Sequence, residues 1–105
     1  MDTTLEGEAL RLANDVRCEL GLSPRPHLVG GMRDIPDHCP ISRTIRDGQK
    51  GLCVEVDAGQ ISIWVGSLEP VGDPDHSYVL GAAAADFTAR FDRGEFPELV
   101  EEPGR

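Results

Sequence analysis

The sequence predicts a small single α+β domain in which two main helices and a short helix pack on an antiparallel hairpin or small sheet. Apolar residues recur at helical spacing towards both ends of the chain, and apolar and polar residues alternate in the middle. No internal repeat or domain boundary divides residues 1–105. A chain of this length buries about two thirds of its unfolded surface, which is enough for one modest core.

The first helix is predicted within residues 3–21, where apolar residues from Leu5 to Leu20 fall on one face. Thr3 followed by Glu6 indicates a capping box, and Gly21 is the expected end of the helix. The next stretch, residues 21–39, contains three prolines and three glycines without a sustained period. It is therefore predicted to form a long irregular connection.

A short helix is predicted in the stretch DHCPISRTIR, residues 37–46. Cys39 would cap it and Pro40 would be its first residue, because proline has no N–H to leave unpaired there. Gly48 is the expected end. The two arginines of this helix, Arg43 and Arg46, are predicted to face outward.

A β-hairpin is predicted over residues 52–65, where apolar residues alternate on both sides of a glycine-containing turn at 57–60. Trp64 and Glu55 fall on the less apolar face. Two interpretations of Trp64 remain open: it is exposed and contacts a partner, or it packs under a neighbouring loop. One face of the hairpin must be covered, because an isolated hairpin is only marginally stable.

The second main helix is predicted over residues 76–94, with Ser77 or Asp75 as its cap. The segment EFPELV that follows would anchor its end through Phe96 and its neighbours. We expect residues 98–105 to form a frayed acidic tail.

The charge is unevenly distributed along the chain. The formal net charge is −9, and residues 52–105 carry eleven acidic residues against three basic ones. The negative charge of this half repels the phosphate backbone of nucleic acids, so we expect no direct nucleic-acid binding. The same charge would attract a basic protein partner. An acidic inhibitor that imitates nucleic acid is a special case of this protein-binding hypothesis.

No apolar run reaches about 18 residues, and no signal peptide is recognised, so we expect a cytoplasmic protein that does not bind membranes.

Cys39 is the one residue around which the sequence suggests chemistry. A thiolate at a helix start beside His38 and Arg43 would suit a cysteine-dependent enzyme or a redox sensor. The phosphatase pattern HC-x5-R is not matched, since Ile45 stands where the arginine is required. The mismatch argues against a phosphatase, and a cysteine-dependent enzyme of another kind or a redox sensor remains the alternative hypothesis.

A zinc-bound structural domain is a third hypothesis. Its ligands would be His38 and the three cysteines, Cys18, Cys39 and Cys53. Zinc ligands usually come in close pairs such as C-x2-C, and these cysteines are widely spaced. We therefore predict reduced thiols, no metal ligands and no cofactor.

Two segments, CPISR at residues 39–43 and FDRGEFPELV at residues 91–100, resemble small uncharacterised proteins of actinobacteria and their bacteriophages. The resemblance implies an accessory protein of such an organism or phage. It specifies no activity and transfers no catalytic residue.

These observations favour a non-enzymatic cytoplasmic protein that acts through protein interaction or regulation. A homodimer is an alternative assembly, since a thin core with an exposed tryptophan would leave an apolar surface to cover. The candidate binding residues lie on the hairpin and on the short helix: Trp64, Glu55, Arg43 and Arg46.

Overall fold

The computed structural model describes residues 4–32, 39–57, 59–67 and 69–100 of the chain. The three strands of the sheet are antiparallel and lie in the order β1-β2-β3. The predicted α+β class is therefore confirmed. The elements in chain order are α1 (Leu5–Glu19), α2 (Pro40–Ile45), β1 (Leu52–Asp57), β2 (Gln60–Val65), β3 (His76–Val79), α3 (Ala82–Asp92) and a short 3₁₀ helix (Pro97–Leu99).

Helix α1 begins one residue later than the predicted capping box implies. Thr4 is the cap, and its Oγ1 accepts a hydrogen bond from the Gly7 N–H at 3.0 Å. The predicted cap, Thr3, lies outside the described residues. Apolar residues on one face of α1 are buried, as the helical spacing predicts, and the helix ends at Glu19 before Gly21.

The predicted hairpin, formed by β1 and β2, is confirmed together with the position of its turn. Asp57 pairs with Gln60 across a two-residue loop. Gly59 in this loop has a φ of 75°, a left-handed backbone conformation that is unfavourable for residues with a side chain. The inner face of both strands is covered by the helices, and its buried residues are Val54, Val56, Ile61 and Ile63.

Strand β3 corrects the predicted second helix. Residues 76–79 do not join the helix but pair with β2, so that Tyr78 lies opposite Ile61. Aromatic and β-branched residues suit a strand, and Gly81 with a φ of 83° separates β3 from α3. Helix α3 therefore begins at Ala82 with Gly81 at the cap position, and neither Ser77 nor Asp75 caps it.

All three helices and the inner face of the sheet contribute to one apolar cluster. Phe87 and Phe91 of α3 are fully buried within it, and the Phe96 ring lies 4.8 Å from the Phe87 ring. The predicted anchor after α3 is therefore present.

Residues 98–100, which we assigned to the frayed tail, are held in place. The Gly31 N–H donates to the Leu99 carbonyl at 2.7 Å, and Gly31 forms a bridge with Val100. The rest of the predicted tail, residues 101–105, lies outside the described residues.

Candidate functional site

Cys39 caps helix α2, as its position before Pro40 predicts. Its Sγ accepts a hydrogen bond from the Ser42 N–H at 3.4 Å, and the side chain is buried. Burial raises the pKa of the thiol to about 11, against the smaller lowering effects of the Ser42 and Ile41 N–H groups. The thiol is therefore protonated at neutral pH, and a protonated thiol is a poor nucleophile.

Of the other members of the predicted cysteine site, Arg43 lies within the described residues. Arg43 is half-buried, and its Nη1 donates to the Gly30 carbonyl at 3.2 Å. Arg46 is half-buried too, and its charge only slightly offsets the burial of Cys39. Both arginines, which were predicted to face outward, are thus partly exposed to solvent. His38 lies outside the described residues.

Trp64 packs under a loop, which is the second of the two interpretations drawn from the sequence. Only 8% of its surface is exposed, and its Nε1 donates to the Gly72 carbonyl at 3.1 Å. It lies opposite Cys53, which is also buried, on the face of the sheet away from the helices. Glu55, two residues along β1 from Cys53, is half-buried on that same face.

The sheet and the loop that covers Trp64 form an acidic region. Residues 51–89 contain six acidic residues and no lysine or arginine. Five of these residues lie on the strands or on the loop 66–75, and we call this surface the acidic sheet side: Glu55, Asp57, Glu69, Asp73 and Asp75. The last four are exposed to solvent. The strands and the loop of the acidic sheet side therefore carry acidic residues and no lysine or arginine, and the exposed Lys50 precedes them in the chain.

A shallow groove of about 220 Å³ separates α1 from the start of α3. Glu8, Arg11 and Asp15 line one wall, and Leu80 with residues 81–84 lines the other. Arg11 lies 3.9 Å from Glu8 and is largely exposed. The described residues that line the groove include no cysteine, serine or histidine.

Arg17 is a buried charged residue that was not among the site residues predicted from the sequence. It is 3% exposed, and its Nε donates to the Ser23 carbonyl at 2.6 Å. Its Nη1 donates to three carbonyls at the end of α2, those of Thr44, Ile45 and Asp47. Burial lowers the pKa of Arg17, as does the nearby Arg25. The signal was its position between Ala13 and Leu20 on the apolar face of α1.

The three cysteines do not gather around a common point. Cys18 is exposed on α1, whereas Cys39 and Cys53 are buried. In the part of the chain that the structure describes, no three His, Cys, Asp or Glu side chains are close enough together to hold a metal ion. None of the described helices is both long enough and apolar enough to cross a bilayer.

Comparison with models of protein families, with curated proteins and with solved structures finds no match for this chain.

Proposed function

We propose that this chain is a non-enzymatic accessory protein that binds a basic protein partner through the acidic sheet side. The observation that carries this proposal is the charge of that surface. Four exposed acidic residues lie there, and none of residues 51–89 is a lysine or an arginine. Opposite charge on a partner would be attracted over about a Debye length, roughly 8 Å at physiological salt.

The state of Cys39 favours this function over cysteine chemistry. An enzyme or redox sensor needs an accessible thiolate. Cys39 is 3% exposed and its pKa is raised to about 11, so it meets neither requirement. Its hydrogen bond to the Ser42 N–H gives it a role as a helix cap instead.

We also propose where this protein acts and in which oligomeric state. The resemblance of residues 39–43 and 91–100 to small proteins of actinobacteria and their phages supports a cytoplasmic partner in such a cell. A monomer is the simplest state for this function, because two acidic sheet sides repel each other.

Variants in which acidic residues are replaced by their neutral amides test the role of the acidic sheet side. Glu69→Gln with Asp73→Asn removes two charges from the acidic sheet side, and Asp15→Asn with Glu19→Gln removes two from exposed positions on α1. Each double variant and the native chain are used to capture proteins from a lysate of the source organism at low and high salt. The net charge of the two double variants is equal, so only its location differs.

We expect the native chain and the α1 variant to capture the same basic protein at low salt, with a loss of capture at high salt. The Glu69→Gln, Asp73→Asn variant should capture several-fold less of it. Equal capture by both variants would move the site away from the acidic sheet side. Absence of any salt-sensitive partner would overturn the proposal.

A further inference from the structure

The two edges of the sheet differ in what covers them. At the β1 edge, helix α2 packs against the strand, and the Ser42 Oγ donates to the Val54 carbonyl at 2.6 Å. That bond occupies a backbone acceptor that would otherwise be free to pair with another strand.

The β3 edge has no such cover among the residues described. Tyr78 and His76 lie opposite Ile61 and Ile63 of β2, and the Leu80 N–H donates to the Gly59 carbonyl at 2.9 Å. Because successive residues of a strand direct their backbone groups to opposite sides, the N–H and C=O groups of Ser77 and Val79 face away from β2. No described strand lies on that side.

Strand β3 also lacks the residues that commonly protect an exposed edge. Its sequence HSYV contains no lysine and no proline, and Val79 is 82% exposed. Natural proteins commonly place lysine, proline or a bulge on such an edge to prevent pairing with another chain. The shortness of β3, four residues, limits the number of hydrogen bonds that a guest strand can form.

We propose that the β3 edge accepts an extended, basic segment of the partner protein as a fourth strand. This inference rests on the proposed function and specifies how the partner binds. Backbone hydrogen bonds to Ser77 and Val79 would hold the segment, and its lysines or arginines would lie beside Asp73 and Asp75, which precede β3. A second copy of this chain fits less well, because pairing of two β3 strands would bring two acidic sheet sides together.

A defined peptide tests the mode of binding. The probe is a short peptide in which lysine and valine alternate, and the control peptide replaces each lysine with glutamate. Binding to the full chain is followed by NMR through amide shifts and amide hydrogen exchange. We expect the lysine peptide to slow exchange at Ser77 and Val79 by about tenfold or more, and the glutamate peptide to have no effect.

Substitutions at two exposed valines provide matched variants. Val79→Lys places a positive charge on the β3 edge, and Val71→Lys places the same charge on the loop 66–75, where Val71 is 70% exposed. Both sites are exposed, so both variants should fold. We expect Val79→Lys to weaken binding of the lysine peptide at least several-fold more than Val71→Lys does. Val79→Pro removes the outward N–H without removing a bond to β2 and should act like Val79→Lys.

The outcomes separate this inference from the proposed function. If the lysine peptide shifts the amides of Glu69 and Asp73 but leaves Ser77 and Val79 unchanged, the β3 edge is not the site and the acidic sheet side remains one. If the peptide does not bind, the fourth-strand mode is overturned, while capture from the lysate still tests the partner. If scattering shows a dimer that Val79→Pro abolishes, the occupant of the edge is a second copy and the basic segment is ruled out.

Discussion

The Nη1 atom of Arg17 lies 3.0 Å from the carbonyl oxygen of Thr44, so a side chain from the first helix supplies a donor to the end of the second. Helix ends leave carbonyls without intrahelical partners, and here a guanidinium takes several of them at once. The fixed fork of an arginine suits this arrangement, because its donors point in different directions from one planar group. Arg17 therefore joins α1, the connection at Ser23 and α2.

Replacing Arg17 with methionine should lower the free energy of unfolding by about 2–4 kcal/mol, because buried carbonyls lose a charged donor. Arg17→Lys should recover only part of the loss, since an ammonium cannot reproduce the fork. The measurement is denaturant unfolding. Arg11→Met on the same helix is the control, as its side chain is 74% exposed, and it should change stability by less than about 0.5 kcal/mol. Equal effects at the two positions would contradict the role of Arg17.

The stability of the fold should fall at alkaline pH because of Cys39. Its folded pKa is raised from 9.0 to about 11, so below pH 9 the thiol is protonated in both the folded and unfolded states. Between those two values the unfolded state loses the proton and the folded state keeps it. The free energy of unfolding should therefore fall by about 1.4 kcal/mol per pH unit in that window.

The test compares denaturant unfolding of the native chain and Cys39→Ser at several values of pH. Serine keeps a capping oxygen and does not titrate in this range, so the alkaline loss should be smaller in the variant. Other groups titrate equally in both proteins and cancel in the difference. Curves that stay parallel up to pH 11 would show that the pKa of Cys39 is not raised.

Thr44 should hold the connection before α2 through its hydroxyl. The Oγ1 accepts from the Val29 N–H at 2.8 Å and donates to the Pro40 carbonyl at 2.6 Å. Thr44→Val keeps the shape but leaves the Val29 N–H without this acceptor, which should cost about 1–2 kcal/mol. Amide exchange at Val29 should become faster in Thr44→Val and stay close to native in Thr44→Ser. No change in exchange would mean that the hydroxyl does not hold this segment.

Trp64 should report on the loop that covers it. It is the one tryptophan of the chain, so intrinsic fluorescence reports on it alone. Because 8% of its surface is exposed, acrylamide should quench the folded protein several-fold less than the unfolded chain. Trp64→Phe removes the donor to the Gly72 carbonyl and should lower stability by about 1 kcal/mol or more. Equal quenching of the folded and unfolded states would indicate that the loop does not cover Trp64.

Elements with local signals could be predicted from the sequence. The apolar face of α1, the Cys39-Pro40 start of α2 and the turn of the hairpin each depend on residues close together in the chain. These signals are, in turn, helical spacing of apolar residues, a capping residue, and an alternation with a period of two. Each can be recognised in the sequence without knowledge of the tertiary structure.

The second half of the sheet could not be predicted in the same way. The apolar spacing of α3 continues backward through Leu80, which made residues 76–79 look like part of the helix. The partner that makes them a strand is β2, and Gly81 was the local sign of the break. Tertiary pairing prevailed over helical periodicity here.

The candidate site depended even more on contacts between distant residues. The charge of the acidic half was visible in the sequence, whereas the burial of Trp64 required the loop 66–75 to fold over it. Arg17 looked like an ordinary charged residue of a surface helix, because the carbonyls that surround it come from residues far along the chain.

The hydrogen bond from Gly31 to Leu99 has a consequence for the order of folding. It joins the connection before α2 to the last residues of the fold, whereas the strands of the sheet pair with their neighbours in the chain. Closing so long a stretch of chain costs more entropy than closing a hairpin, so this contact should form after the folding transition state. Leu99→Ala keeps this backbone bond but removes the side chain that packs there against the core, so it should accelerate unfolding and leave the refolding rate nearly unchanged, which stopped-flow kinetics can measure.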